Sequence, residues 1–291
     1  MRHWPNVFVV GAPKSGTTSL YHYLGDVPDV FMPPVKEPHY FSPVAAPLSQ
    51  IQRIDSQHEY LRLFRGVRDE KLIADVSPAC LRDPESAKLI KQSVPDARII
   101  ISLRDPVERA YSHFCMAWGR GNLTESFEAL LEALPAATLD QGPDIFYNSV
   151  IWPGFYATQV QRYLDVFGQD RVKIIIFDDL IRDSVGTVEQ ILKFLGVANT
   201  GPTVCEEIYN PYYEPRSPLA LEIIRNKAVR FLGKHLFPRT VSTRIIRQVL
   251  GKKAAKPPMS THSRLRLTAI YQNDVNELRK ILNLPALWNT T

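Results

Sequence analysis

The sequence has few cysteines and no long hydrophobic run. Its 291 residues include three cysteines, which are widely spaced and odd in number: Cys80, Cys115 and Cys205. This pattern suggests a reducing compartment, with neither a disulfide framework nor a zinc site. No apolar run approaches the roughly 18–20 residues that span a bilayer, and residues 1–5 are too short and polar for a signal peptide. We therefore expect a cytoplasmic protein.

Acidic residues are nearly absent from one segment near the C-terminus. The chain as a whole has 35 Lys and Arg against 30 Asp and Glu, a net charge of +5. Residues 216–256 contain 11 Lys and Arg and one acid, Glu222, whereas the remainder has 24 against 29. Such local basicity suits an anionic ligand, an acidic acceptor or peripheral contact with a membrane, and a solvated basic face is an equal alternative.

The chain begins with a strand, a glycine-containing turn and a helix start. Residues 7–10 form the unbroken apolar run of a buried parallel strand, and Gly11 and Pro13 end it. At such a junction, free backbone N–H groups and the helix dipole converge on one spot, which makes an anion site. The predicted contributors are Lys14, Ser15, Gly16, Thr17, Thr18 and Ser19.

This loop differs from the P-loop of nucleoside triphosphatases, G-x-x-x-x-G-K-[ST]. Gly11 and Gly16 have the P-loop spacing, but Thr17 stands where that motif has lysine. A magnesium-dependent γ-phosphate site uses a lysine after the second glycine, whereas here the lysine lies inside the loop, at Lys14. The sequence therefore favours a phosphate-like group whose bridging oxygen lies near Lys14.

A proline-rich stretch follows the first helix and a short predicted strand at 29–32. Four prolines between residues 28 and 38 exclude a helix and keep the chain extended. The stretch presents Lys36, Glu37 and His39 from a stiff loop after a strand, where α/β folds place chemistry. The alternative is a surface turn with solvated charges.

The clearest predicted strand, residues 97–103, leads directly into Arg104. Asp105 is a predicted N-cap and Pro106 the first position of the helix that follows. Ser112 lies eight residues after Arg104, two turns into that helix. An arginine fork and a hydroxyl group suit a phosphate monoester. The alternative for Arg104 is a salt bridge with Asp105 or Glu108.

Taken together, these motifs resemble the sulfotransferases that use 3′-phosphoadenosine 5′-phosphosulfate (PAPS). Residues 13–18 resemble their 5′-phosphosulfate loop, and Arg104 with Ser112 resembles their 3′-phosphate motif. The run Lys-Glu-Pro-His-Tyr-Phe at 36–41 is similar to the heparan-sulfate-type (glycan) branch of the family. The resemblance implies that Glu37 is the base that deprotonates the acceptor, with His39 as an assisting or alternative base.

The resemblance also carries expectations for two other stretches. The family's C-terminal Gly/Lys loop covers PAPS, which implies that Lys252 or Lys253 helps to hold the 3′-phosphate; solvated lysines are the alternative. Val76 stands where the heparan-type branch has a lysine before Ser/Thr-Pro. That departure leaves Asp75 and Arg82 as open candidates for acceptor contact.

The predicted fold is α/β. Further buried strands are expected at 71–78 and 171–177, with a helix at 154–168 and a final helix at 260–282, which Ser260 caps. They predict one domain over residues 1–291, with a central, mainly parallel sheet flanked by helices. This is the P-loop-like sulfotransferase fold with a helical C-terminal cover, and residues 215–258 would be a basic helical and loop segment of that cover. Tyr156, in the helix at 154–168, is expected either in the core or in the acceptor cleft.

The function implied by the resemblance is transfer of a sulfuryl group from PAPS to a hydroxyl, less readily an amine. The acceptor would be a glycan, a lipid or a small molecule, and the products would include 3′,5′-ADP. Lys14 stands where a cation is needed, so no metal is expected, and neither is a nucleic-acid partner. Two alternatives remain from the residues alone: a P-loop nucleotide kinase or triphosphatase, and a non-catalytic protein that binds anions or membranes through residues 216–256.

Overall fold

The computed structural model describes residues 3–45, 51, 53–134, 145–197, 213–217, 220, 222–223, 226 and 251–288. Within these ranges, a five-stranded sheet has the strand order β2-β3-β1-β4-β5. Its strands are β1 Val7–Gly11, β2 Val30–Phe31, β3 Leu72–Val76, β4 Arg98–Leu103 and β5 Val172–Ile176. Every neighbouring pair in this sheet is parallel. The predicted α/β class with a mainly parallel sheet is confirmed.

Strand β1 lies at the centre of the sheet, between two strands that come later in the chain. Val7 pairs with Ala74 of β3 on one side and with Arg98 of β4 on the other. All five residues of β1 and all five of β3 are buried. Continuous apolar strands of this kind are covered on both faces, as expected for a parallel sheet.

Helices cover both faces of the sheet and form a separate core on each face. Alternate residues of β1 point to opposite faces: Phe8 and Val10 belong to one core, Val7 and Val9 to the other. None of the helices in the described ranges is long and apolar enough to cross a membrane. The helices are α1 Thr17–Gly25, α2 Gln57–Arg62, α3 Ser86–Ser93, α4 Pro106–Gly119, α5 Phe127–Glu132, α6 Ala157–Phe167, α7 Phe177–Arg182, α8 Ser184–Leu195 and α9 Thr261–Ile281.

Two helices begin at the caps that the sequence predicts. The Asp105 carboxylate accepts hydrogen bonds from the backbone N–H groups of Val107 (2.8 Å) and Glu108 (3.4 Å), and Pro106 is the first residue of α4. Ser260 Oγ accepts from the N–H of Ser263 at 3.2 Å at the start of α9. These side chains satisfy donors that the first turn of a helix leaves unpaired.

The structure corrects the predictions in two places. The helix predicted at 154–168 begins at Ala157, because Tyr147–Ile151 forms a π-helical turn and Trp152–Gly154 a 3₁₀ turn before it. The Gly/Lys loop is a short strand, β7 Gly251–Lys253, which pairs antiparallel with β6 Tyr213–Pro215. Most of the remaining basic cover predicted at 215–258 lies outside the described residues.

Candidate active site

The site lies at the carboxyl ends of β1 and β4. The connections from β1 lead to β2 and β3 on one side of the sheet, and those from β4 lead to β5 on the other. In open α/β sheets, ligands bind at such a reversal of strand order. Here the N–H of Ala12 donates to the carbonyl of Ser102 at 2.7 Å, and Ser102 Oγ donates to the carbonyl of Ser15 at 2.6 Å. The two predicted phosphate motifs therefore meet at one edge of the sheet.

The loop after β1 has the backbone geometry of an anion site. Gly16 is the N-cap of α1 and has a left-handed conformation, with φ of 79°. A Cβ atom at this position would lie 2.9 Å from Leu180 Cδ2 and 2.9 Å from Phe177 Cδ2. Only glycine fits both the conformation and the space. Because Gly16 is the N-cap, α1 begins at Thr17, and the first N–H groups of the helix point into the loop without a partner within the helix.

The polar side chains of this loop differ in burial. Ser15 and Thr17 are buried, whereas Thr18, Ser19 and Lys14 are partly exposed. Lys14 Nζ lies 3.5 Å from the sulfur of Met116 in α4. The lysine therefore lies between its own loop and helix α4, which begins two residues after Arg104.

Arg104 lies directly beside the loop. Its Nη1 donates to the carbonyl of Lys14 at 3.4 Å, its guanidinium lies 4.8 Å from the centre of the Phe177 ring, and its Nη2 is 3.7 Å from Glu108 Oε2. Burial lowers the pKa of Arg104 from its ordinary value. Ser112 follows Glu108 by one helical turn and so shares its face of α4. The predicted pairing of Arg104 with Glu108 is present, at the long end of the range for an ion pair.

Glu108 is surrounded by cations from three parts of the chain. Besides Arg104, Lys256 Nζ lies 3.2 Å from Glu108 Oε2, and Arg264 Nη2 of α9 lies 2.6 Å from Glu108 Oε1. Burial alone would raise the pKa of Glu108, but Arg264 and Lys256 outweigh it and hold the pKa below its usual value. Three cations thus gather around one carboxylate, one helical turn from Ser112, for which the sequence predicts contact with the 3′-phosphate.

Lys256 and Arg264 were missed by sequence reasoning, which named Lys252 and Lys253 instead. Lys252 is exposed on β7, and the β6–β7 ribbon contacts α4 through β6. The strand that carries Lys252 and Lys253 is therefore joined to the helix of Ser112 through β6. The part assigned to Lys252 and Lys253 stays a prediction, whereas Lys256 places its Nζ 3.2 Å from Glu108 Oε2.

The predicted base lies in a loop with an unusual backbone. Glu37 and His39 both have left-handed conformations, with φ of 62° and 52°. The Glu37 carboxylate pairs with Lys36 Nζ, and its other oxygen is 3.6 Å from His39 Nε2. The Glu37 side chain is 41% exposed and that of His39 2%. Burial opposes ionisation of Glu37, but the neighbouring His39 and the charge of Lys36 outweigh it and hold the pKa of Glu37 well below the usual range.

A chain of buried hydrogen bonds holds this loop against β3. The backbone N–H of His39 donates to Ser77 Oγ at 3.1 Å, and Ser77 Oγ donates to Asp75 Oδ1 at 2.6 Å. Tyr60 donates its hydroxyl to Asp75 Oδ2, also at 2.6 Å. Non-glycine residues keep a left-handed conformation only where their surroundings determine it. The end of β3 supplies that constraint for the Glu37 loop.

Other predicted contacts with the acceptor are not supported by the structure. The Asp75 carboxylate accepts hydrogen bonds from Ser77 and Tyr60, and burial raises its pKa. Arg82 is 2% exposed and donates to the carbonyls of Asn148 and Ala45. Tyr156 is fully buried, so it belongs to the core and not to an acceptor cleft. Each of these side chains is buried and hydrogen-bonded within the protein.

The described residues combine a parallel sheet, two candidate phosphate motifs at its switch point and a carboxylate in the loop after β2. The sulfotransferase domain model matches residues 5–279. The chain therefore belongs to the sulfotransferase family, as the resemblance predicts, and it is a transferase.

Individual relatives agree with this assignment. The chain is 26% identical, over 97% of its length, to bifunctional heparan sulfate N-deacetylase/N-sulfotransferase 4 of Mus musculus. It is 26% identical, over 67% of its length, to heparan sulfate glucosamine 3-O-sulfotransferase 6 of Homo sapiens. The matches span 30% and 53% of those proteins. Among solved structures, a sulfotransferase from Alicyclobacillus acidocaldarius is 29% identical with a TM-score of 0.73, and the match covers 98% of each chain.

Proposed function

We propose that this protein transfers the sulfuryl group of PAPS to a hydroxyl group, and less readily to an amine. The observation that carries the proposal is the pairing of Lys14 with Arg104 at adjacent strand ends, where the Arg104 guanidinium donates to the Lys14 carbonyl at 3.4 Å. Lys14 would bind a phosphosulfate group at the start of α1, and Arg104 would bind a phosphate group beside Ser112. A nucleotide with phosphoryl groups on both 3′ and 5′ positions matches this arrangement.

The residues at the donor site have separate tasks. Lys14 and the first N–H groups of α1 bind the 5′-phosphosulfate. Arg104 and Ser112 bind the 3′-phosphate, and Lys256 and Arg264 add charge to the same place, 3.2 Å and 2.6 Å from Glu108. Lys252 and Lys253 are retained as further candidates.

The proposed reaction is an in-line displacement at sulfur. The acceptor oxygen forms a bond to sulfur, the bond from sulfur to the bridging oxygen breaks, and the acceptor proton passes to Glu37. Lys14 stabilises the negative charge that develops on the bridging oxygen of the departing 3′,5′-ADP. Glu37 is ionised at neutral pH because Lys36 and His39 hold its pKa low, so it is ready to accept the proton. Its low pKa also makes it a weak base, and His39, 3.6 Å away, is the alternative.

We propose a glycan, a lipid or a small molecule as the acceptor. Two relatives are named for heparan sulfate, one as a 3-O-sulfotransferase and one as an N-sulfotransferase, which supports a glycan with a hydroxyl or amine group. Contact of residues 216–256 with an acidic acceptor or a membrane surface, and a cytoplasmic location, are further parts of this proposal.

The test is calorimetric titration with 3′,5′-ADP in EDTA, beside ATP with magnesium. We expect metal-free binding of 3′,5′-ADP that Arg104→Ala abolishes, followed by transfer from radiolabelled PAPS to a panel of glycan and small hydroxyl acceptors. Binding of ATP with magnesium and none of 3′,5′-ADP would refute the proposal and favour a nucleotide kinase.

A further inference from the structure

One buried hydroxyl connects the core to the donor site. Tyr156 immediately precedes α6 and is fully buried, and its hydroxyl donates to the backbone carbonyl of Arg104 at 3.0 Å. We propose that Tyr156 is a positioning residue that orients Arg104 toward the 3′-phosphate of the donor, and that Asp274 of α9 holds Tyr156 in place. The inference rests on the proposed function, because it assumes that Arg104 binds that phosphate.

The polar side-chain contacts of Arg104 are long. They are the carbonyl of Lys14 at 3.4 Å and Glu108 at 3.7 Å, both at or beyond the long end of a hydrogen bond. The Phe177 ring, 4.8 Å from the guanidinium, adds a cation–π contact. The bond from Tyr156 to the Arg104 carbonyl, at 3.0 Å, is shorter and acts on the backbone between β4 and α4. This contact therefore fixes the backbone from which the guanidinium extends.

Asp274 in turn fixes the backbone of Tyr156. Its carboxylate accepts from the N–H of Tyr156 at 2.6 Å and from the N–H of Ala157 at 3.1 Å, which caps α6. One turn earlier in α9, Tyr271 donates its hydroxyl to the carbonyl of Ile151 at 2.7 Å. Helix α9 thus holds the segment that carries Tyr156, and through Arg264 the same helix also reaches Glu108.

The donor hydrogen of Tyr156 is present at any working pH. Burial raises the pKa of Tyr156 to about 12, so the phenol stays protonated. The carbonyl of Arg104 receives this hydrogen bond at a partly buried position, where loss of a partner is costly. Tyr156→Phe removes the hydroxyl and keeps the ring, so it separates the polar contacts of Tyr156 from its packing. Because the hydroxyl also interacts with Ser15 of the donor loop, 5′-AMP is needed to tell an effect through that loop from one through Arg104.

Tyr163 offers a matched control on the same helix. It is also fully buried, and its hydroxyl donates to a backbone carbonyl at a similar distance, that of Cys80 at 2.9 Å, which is not part of the donor site. Tyr156→Phe and Tyr163→Phe each lose one buried hydrogen bond, so they cost similar stability. Only the first loses a contact with Arg104.

The experiment is calorimetry of the wild-type protein and both variants with 3′,5′-ADP and with 5′-AMP, which lacks the 3′-phosphate. For Tyr156→Phe we expect about three- to tenfold weaker binding of 3′,5′-ADP, the value of one hydrogen bond, and unchanged binding of 5′-AMP. Tyr163→Phe should match the wild type with both ligands.

The outcomes distinguish the inference from the function on which it rests. Wild-type affinity of Tyr156→Phe for 3′,5′-ADP overturns the inference alone, and so does an equal loss for 5′-AMP, because the effect would then not pass through the 3′-phosphate. An equal loss in Tyr163→Phe would indicate a general effect on stability and also overturn it. Absence of 3′,5′-ADP binding by the wild type overturns the proposed function together with the inference.

Discussion

Replacement of Gly16 by alanine tests the geometry of the donor loop most directly. The residue has φ of 79° and ψ of 8°, a left-handed conformation that costs an alanine about 1–2 kcal/mol. A Cβ atom would also lie 2.9 Å from side-chain carbons of both Leu180 and Phe177. Crowding of this kind costs about 1–3 kcal/mol more. We therefore expect Gly16→Ala to lower the free energy of unfolding by about 2–5 kcal/mol.

Gly196 provides the control for this estimate. It closes α8 in nearly the same conformation, with φ of 76° and ψ of 26°, but the nearest atom to its Cβ position is 3.6 Å away, on Arg98. Gly196→Ala thus carries the conformational cost of about 1–2 kcal/mol without the crowding. It lies away from the donor loop, so nucleotide binding should be retained.

The assay is urea unfolding followed by circular dichroism without nucleotide, together with calorimetry with 3′,5′-ADP. Gly16→Ala should be the less stable of the two variants and should lose most of its affinity, because the crowded loop moves its N–H groups away from the phosphosulfate. Equal destabilisation in the two variants would refute the packing argument. Full nucleotide affinity in Gly16→Ala would refute the placement of the donor at this loop.

Three other changes test separate parts of the site. Lys14→Ala should lower turnover about 10²–10³-fold, measured as transfer from radiolabelled PAPS, because the charge on the leaving oxygen loses its partner; unchanged turnover would contradict this. Glu37→Gln should lower turnover about 10²–10⁴-fold and leave 3′,5′-ADP affinity within about twofold, and full turnover would move the base to another residue. Burial raises the pKa of Asp274 from 3.8 to about 6, so the protonated carboxyl group stabilises the folded state. This contribution to the free energy of unfolding is fully present below pH 3.8 and is lost as the pH rises through 6. Between pH 4 and pH 7, the wild type should lose at most about 3 kcal/mol of unfolding free energy relative to Asp274→Asn in urea, and the opposite slope would contradict the assignment.

Much of the fold follows from local signals in the chain. The buried strands at 72–76, 98–103 and 172–176 are short apolar runs, and each was predicted within two residues of its bounds. Asp105 and Ser260 cap their helices as expected, because a cap depends on residues within one turn. Errors occur where neighbours in space intervene, as at Gly154, which was predicted in a helix but lies in a 3₁₀ turn.

The candidate site divides in the same way between local and long-range determinants. The donor loop and Arg104 were readable because each motif is contiguous or has a fixed spacing, and the resemblance supplied their roles. The cations around Glu108 could not be predicted in this way, because Lys256 and Arg264 lie 148 and 156 residues away from it along the chain. No local pattern marks a lysine or an arginine as the partner of a distant carboxylate.

The sequence by itself therefore determined the strands, the caps, the glycine-containing turn before α1 and the family. The tertiary structure decided which side chains meet. Asp75 and Arg82 are buried and hydrogen-bonded in the interior, and Tyr156 donates to the carbonyl of Arg104, 52 residues away. The physical reason is that hydrogen bonds within a turn or a helix depend on neighbouring residues, whereas strand order and helix packing bring together residues that are far apart in the chain. Arg104 shows both: its place after a strand is visible in the sequence, and the tyrosine that bonds its carbonyl becomes visible only when β4, α6 and α9 are packed together.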